Sequence, residues 1–150
     1  MVARKSFEQD FCPSARALDV IGDWWSLLLV RDAFEGVTRF SEFQKSLGIA
    51  RNILTERLRR LIAGGILEQV PASGGGARME YRLTAKGKDL FPVIVALRQF
   101  GERHLFRPDE AHSVLLERST GQPIRLVVRA QSGQPVGPDE TVILRVTDPN

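Results

Sequence analysis

Arg51, Asn52, Thr55, Glu56 and Arg59 are the residues of this chain whose types and spacing carry the most chemistry. A guanidinium pairs bidentately with guanine and a carboxamide with adenine. A carboxylate accepts from cytosine, and threonine meets a thymine methyl or a phosphate. At about 100° per residue on a helix, Asn52, Glu56, Arg59 and Ala63 fall opposite an apolar stripe of Leu54, Leu58, Leu61 and Ile62, with Thr55 and Arg60 beside them. A helix of this kind, buried on one side and polar and cation-rich on the other, can enter a major groove about 12 Å wide. An ordinary bundle helix presents a similar solvent face, and Glu56 could equally form a surface ion pair with Arg60 or Arg59. The surrounding elements decide between these readings.

Those elements are legible from caps and breakers. Pro13 suits the first turn of a helix over 14–21, which Gly22 ends. Asp23 caps a helix over 24–34, where Trp25, Leu28, Leu29 and Ala33 recur at helical spacing and Gly36 stops the run. Ser41 with Gln44 is a capping-box signature for a third helix over 42–47, and Gly48 permits a sharp turn. The fourth helix, from 50 or 51 to 63, ends at Gly64-Gly65. A strand over 66–70, a small-residue loop over 71–77 and a returning strand over 78–83 make a hairpin. Thr84 caps a long last helix to about 106, which Pro92 bends or breaks near 90–91. Beyond Pro108 the texture changes to short strands at 114–117, 124–130 and 141–146. There Thr120-Gly-Gln-Pro-Ile124 is echoed by Ser132-Gly-Gln-Pro-Val136, two similar turns in one β-appendage.

At 150 residues, 43% hydrophobic and 26% charged, the chain has the composition of a folded globular protein. Its net charge of +3 is unevenly placed. Residues 39–107 hold thirteen Lys/Arg against six Asp/Glu, a balance of +7, whereas each flank carries −2. Positive charge therefore gathers around the fourth helix and the hairpin, where a polyanion would be held. The hairpin tip, Ser73-Gly-Gly-Gly-Ala77-Arg78, lets backbone approach phosphates and adds one cation, so it positions and does not specify. A flexible hairpin tip would look the same. No Gly-Lys-Ser/Thr follows the glycines, which argues against a nucleotide-binding loop.

Little competes with that reading. No Ser/His/Asp order or carboxylate pair indicates catalysis, and no cofactor signature is present. His104 and His112 have no Cys or carboxylate at ligand spacing. The single cysteine, Cys12, excludes an internal disulfide framework and a multi-thiol metal site. It sits just before the Pro13 helix start, where the helix dipole favours an anion and Arg4, Lys5 or Arg16 could add to it. It is thus a candidate sensor of oxidants or electrophiles, with a small buried apolar residue as the alternative. No apolar run approaches a membrane span, and the first residues lack the apolar core of a signal peptide, so no membrane partner and a cytoplasmic location are expected.

Cys12-Pro-Ser-Ala-Arg-Ala-Leu-Asp-Val-Ile-Gly22 and Trp25-Ser-Leu-Leu-Leu-Val-Arg31-Asp32 resemble the HxlR-type winged helix-turn-helix regulators of transcription. The likeness continues through Arg39-Phe-Ser-Glu-Phe43, Leu54-Thr-Glu-Arg-Leu58, Glu80-Tyr-Arg-Leu-Thr84, Gly87 and Phe91-Pro-Val93, over about residues 11–105. The resemblance implies a homodimer joined through the N-terminal segment and the long last helix, a recognition helix over 50–63 and a wing over 71–78. Trp24 and Trp25 then serve as core and dimer-interface aromatics. Several relatives sense thiol-reactive compounds through a cysteine at the position of Cys12.

Three departures from the family pattern stand out. Ala50 replaces a frequent serine and cannot cap by a side-chain oxygen, which costs ~1 kcal/mol; Ser41 or backbone amides could take over a phosphate contact. The wing lacks the usual prolines. The tail resembles a zinc-ribbon-like extension in which Glu117, Thr120, Arg129 and Ser132 stand at the knuckle positions, so no thiols remain for zinc and β-pairing with apolar packing is expected in its place.

The expected fold is α+β and mostly α: a winged helix-turn-helix with dimerisation helices over 1–107 and a small, metal-free, β-rich extension over 108–150. The expected partners are double-stranded DNA, a second copy, and a small-molecule or thiol-reactive effector. Arg39, Ser41, Arg51, Asn52, Thr55, Glu56, Arg59 and Arg78 are the candidate DNA-binding residues, with Cys12 the candidate sensor. The alternatives are a winged protein-interaction module without DNA, and a regulator controlled by a ligand or partner at the extension.

Overall fold

Glycine and proline punctuate the chain where the composition says they must. The computed structural model describes residues 4–146. In order it contains α1 (Pro13–Ile21), α2 (Trp24–Phe34), α3 (Phe40–Leu47), α4 (Arg51–Ala63), β1 (Leu67–Pro71), β2 (Met79–Leu83), α5 (Ala85–Lys88) and α6 (Phe91–His104), then a 3-10 turn at Pro138–Glu140. Two compact units divide between Ile94 and Val95, inside α6.

The first unit is built on one core. Leu29 and Val30 of α2, Phe43 of α3, Leu54, Leu58 and Leu61 of α4, and Ile66 and Leu67 at the entry to the hairpin are buried together. The stripe expected on α4 is the side that packs, with Ile62 half-buried at its margin. Each buried leucine contributes about 1.5–3 kcal/mol by leaving water, so α4 is held firmly by one side and is free on the other. Trp25 packs against this core, whereas Trp24 is 73% exposed.

Two local devices set the angles. Gly48, at φ +60°, ends α3 in the left-handed region, and its N–H donates to the Gln44 carbonyl. At the other end of the hairpin, the Thr84 hydroxyl donates to the Gly65 carbonyl and accepts from the Gly87 N–H. A Cβ on Gly87 would stand 2.1 Å from the Ile66 carbonyl oxygen, so only glycine fits this close approach.

The start of α3 differs from expectation. Ser41 lies inside the first turn, Arg39 is the N-cap residue, and the Glu42 carboxylate accepts from the N–H groups of Thr38 and Arg39. The reach-back half of a capping box, anchored on Glu42, suffices because a carboxylate also complements the positive end of the helix dipole. The last long helix is broken as Pro92 requires: α5 stops at Lys88 and α6 starts at Phe91. A proline at 92 has no N–H for the Lys88 carbonyl and its ring would collide with it.

The hairpin pairs Leu67 with Leu83 and Pro71 with Met79, antiparallel throughout. Tyr81 on the outer edge donates its N–H to the Thr38 carbonyl, tying β2 to the segment before α3. The loop between the strands turns through Gly75 (φ +76°) and Gly76 (φ +94°), a conformation that suits glycine.

The second unit carries the echo motif as two turns with Gly121 and Gly133 in the left-handed region. The three strands expected here are replaced by isolated bridges, Leu116 with Pro123 and Arg129 with Pro135. The bridging prolines explain the arrest, since neither can donate a ladder hydrogen bond. The expected knuckle positions are tied by side chains instead of by longer β-pairing. Thr120 Oγ1 donates to Glu117 Oε2 and Arg129 donates to the Gly133 carbonyl. Hydrogen bonds from the hydroxyls of Thr120 and Ser119 hold the Glu117 carboxyl below its ordinary range. Gln99 of α6 acts as a strand partner would, donating to the Ile124 carbonyl and accepting from the Leu126 N–H.

Candidate nucleic-acid interface

The site begins with the burial of Leu54, Leu58 and Leu61, which turns the opposite side of α4 outward. On that side Arg51, Asn52, Thr55, Glu56 and Arg59 line a single shallow, open depression. The five residues singled out for base chemistry are therefore brought together. Arg51, Asn52, Thr55 and Arg59 are exposed and Glu56 is half-buried.

Their hydrogen bonding distinguishes them. The Thr55 hydroxyl donates to the Arg51 carbonyl at 2.9 Å, so its methyl and its oxygen lone pairs are what it offers outward. The Arg51 guanidinium lies 5.2 Å from the centroid of the Phe40 ring, a cation–π contact that braces the start of α4 on α3. Phe40 carries no signal of this role in the sequence, because the cap pattern places the helix start at residue 42 and only the observed start of α3 brings its ring to Arg51. Asn52 and Arg59 make no side-chain hydrogen bond or ion pair among the described residues, which leaves both free for a ligand.

Glu56 is paired, but not with Arg59. Its carboxylate contacts Arg57 Nη1 and stands 3.9 Å from Arg60 Nη1. Arg57 was not a candidate, and the structure shows why it matters: its Nε also donates to Asp23 Oδ1 at 3.0 Å. Asp23, the N-cap of α2, accepts further from the Ser26 N–H (2.9 Å) and Ser26 Oγ (2.6 Å). Burial pushes the Asp23 carboxyl up, but the Ser26 hydrogen bonds and the Arg57 guanidinium outweigh it and hold the group below its ordinary value.

The remaining candidates lie outside the depression. Ala50 precedes α4 with no side-chain cap, leaving the first-turn amides open to an anion. Ser41 is exposed in the first turn of α3, and Arg39 reaches loosely toward Glu80 at 3.9 Å. Arg78 is exposed on the wing, where its carbonyl accepts from the Ala72 N–H and closes the loop. Cys12 is the N-cap of α1 and is exposed in the single chain. Its N–H donates to Asp10 Oδ1, whereas Arg4 and Arg16 spend hydrogen bonds on the carbonyls of Leu18, Asp19 and Asp10. Among the described residues no group of three or more His, Cys, Asp or Glu is placed to hold a metal ion, and no helix is long and apolar enough to cross a membrane.

Comparison with known proteins converges on one family. The model of the HxlR-like helix-turn-helix family matches residues 20–109. An uncharacterised HTH-type transcriptional regulator of Mycobacterium tuberculosis is 44% identical over 107 residues, 71% of this chain and 68% of that protein. The crystal structure of PA1607, described as a proposed transcription factor, superposes with a TM-score of 0.89 at 57% identity, covering 95% of this chain and all of the other. The redox regulator HypR in its reduced form is similar at a TM-score of 0.57 and 32% identity, over 63% of this chain and 94% of its own. The winged arrangement of helices and hairpin agrees with these neighbours. The chain belongs to the HxlR-like helix-turn-helix family and is a DNA-binding transcriptional regulator, not an enzyme.

Proposed function

We propose that the protein is a cytoplasmic, homodimeric, sequence-specific regulator that binds double-stranded DNA at a pseudo-palindromic operator. Each protomer lays α4 in the major groove, and the two half-sites lie about 10 bp apart or a multiple of that. The observation that carries this reading is the depression on α4, where five residues with base-reading chemistry share one outward face. Arg51, Asn52, Thr55, Glu56 and Arg59 face base edges, while Arg39, Ser41 and Arg78 meet phosphates around them. Residues 1–107 supply DNA binding and dimerisation, and residues 108–150 form the extension. Large apolar side chains left exposed on helices, Trp24 of α2 and Phe100 of α6 among them, support pairing with a second copy.

Titration of the purified chain against duplexes from its own promoter region tests the proposal. Affinity that falls steeply and linearly with the logarithm of salt, with one sequence preferred, is expected. Tight binding to a protein partner without any sequence-dependent shift of DNA would favour the interaction-module reading.

A thiol-based response is the second reading, supported by the exposed Cys12 at a helix start and by likeness to a protein named as a redox regulator. Treatment with a thiol oxidant should lower DNA binding of the wild type and leave Cys12→Ser unaffected. An equal response in both would remove Cys12 from the mechanism.

A further inference from the structure

Arg57 is the cation of α4 that joins two acidic groups rather than facing water. Its side chain is 23% exposed; Nε donates to Asp23 Oδ1 at 3.0 Å and Nη1 contacts Glu56 Oε2. Asp23 cannot yield easily, because the Ser26 N–H and hydroxyl occupy its carboxylate from within the first turn of α2. On the far side of Glu56, Arg60 Nη1 stands 3.9 Å from Oε1. A line of alternating charge thus runs from the α2 N-cap to the rim of the depression, ending on the one carboxylate that lines it.

A lone glutamate is a poor groove reader. Phosphates repel it, and its rotatable side chain loses entropy when it is ordered. Flanking guanidiniums remove both objections: they neutralise the carboxylate and fix its direction. Oε2 contacts Arg57 and Oε1 stands 3.9 Å from Arg60, so both oxygens keep acceptor capacity, since an ionised carboxylate offers about four lone-pair sites. In the major groove that acceptor matches the cytosine N4 amino group.

We infer that Arg57 is a specificity-determining positioning residue that links the α2 N-cap to Glu56 and holds its carboxylate to read cytosine. The inference rests on the assignment of α4 as the recognition helix. The planar guanidinium serves two carboxylates from separate N–H groups, which the compact ammonium of lysine does not reproduce. A purely structural ion pair would change stability and leave base preference alone, so base preference is the discriminating readout.

The experiment is selection of binding sites from randomised DNA duplexes by the full chain and by R57Q, R57K and E56Q, with thermal melting of each variant as a folding control. The wild type should enrich C·G at one position of each half-site by roughly tenfold. R57Q, R57K and E56Q should each flatten that same position to about twofold or less, with the other positions of the consensus kept. The double variant R57Q/E56Q should flatten it no further. Should R57Q fail to fold, Asp23→Asn, which loosens the same link from α2, must flatten the same position. A consensus unchanged in R57Q, or weakened equally at every position, overturns the inference alone. Absence of any consensus for the wild type overturns the recognition-helix assignment and this inference with it.

Discussion

The outward face of α4 and the wing tip are both exposed and both basic in setting, yet they are built on opposite principles. On α4 a buried stripe clamps the backbone, and side chains are held: Arg51 on Phe40, Thr55 on the Arg51 carbonyl, Glu56 between two arginines. On the wing the backbone turns through Gly75 and Gly76, and the exposed Arg78 side chain has no hydrogen bond or ion pair among the described residues. Discrimination between bases needs donors and acceptors fixed to within a fraction of an ångström, whereas phosphate attraction tolerates slack. The contrast supports the proposal that α4 reads bases and the wing grips phosphates.

Removing the clamp is the harshest way to break this contrast. Leu58, 1% exposed, is central to the stripe. Leu58→Ala should cost about 2–5 kcal/mol in chemical denaturation and abolish the preference for the operator over random DNA together with the fold. Arg59→Ala leaves the clamp intact and should weaken operator binding by ~1–3 kcal/mol while relaxing preference at one position. Equal loss on every sequence would make Arg59 a phosphate contact and blur the distinction.

Arg78→Ala sharpens the comparison from the other side. It should weaken all duplexes alike and lower the slope of log affinity against log salt by about 0.9. A change in consensus would show that the wing reads sequence. The mildest effect concerns the support behind α4. Asp23 titrates below its ordinary value of 3.8 in the fold, so the unfolded chain binds its proton more tightly than the folded one. Its contribution to stability is complete above the unfolded value and disappears as pH falls through the lower folded value. Denaturation followed from pH 6 downward should show this loss for the wild type below about pH 4, and Asp23→Asn should lack that component.

Much of the frame was legible from local pattern. The bounds of α2 and α4 and the break before Pro92 coincide with expectation because caps, breakers and helical period act over a few residues. The start of α3 lies two residues before the one that Ser41 with Gln44 suggests, because the Glu42 carboxylate reaches back to the Thr38 and Arg39 N–H groups. The tail was misread because alternating apolar residues resemble strands, although Pro123 and Pro135 deny them a ladder.

Which residues share the outward face of α4 was determined by the sequence itself, because the 3.6-residue period and one apolar stripe leave no other arrangement. Which of them are free was decided only by tertiary structure. Periodicity offered Glu56 to Arg59 or Arg60, but Arg57, anchored on an aspartate 34 residues earlier, takes hold of it as well. Ion pairs between elements depend on how α2 and α4 are brought together, and no local spacing along the chain encodes that distance.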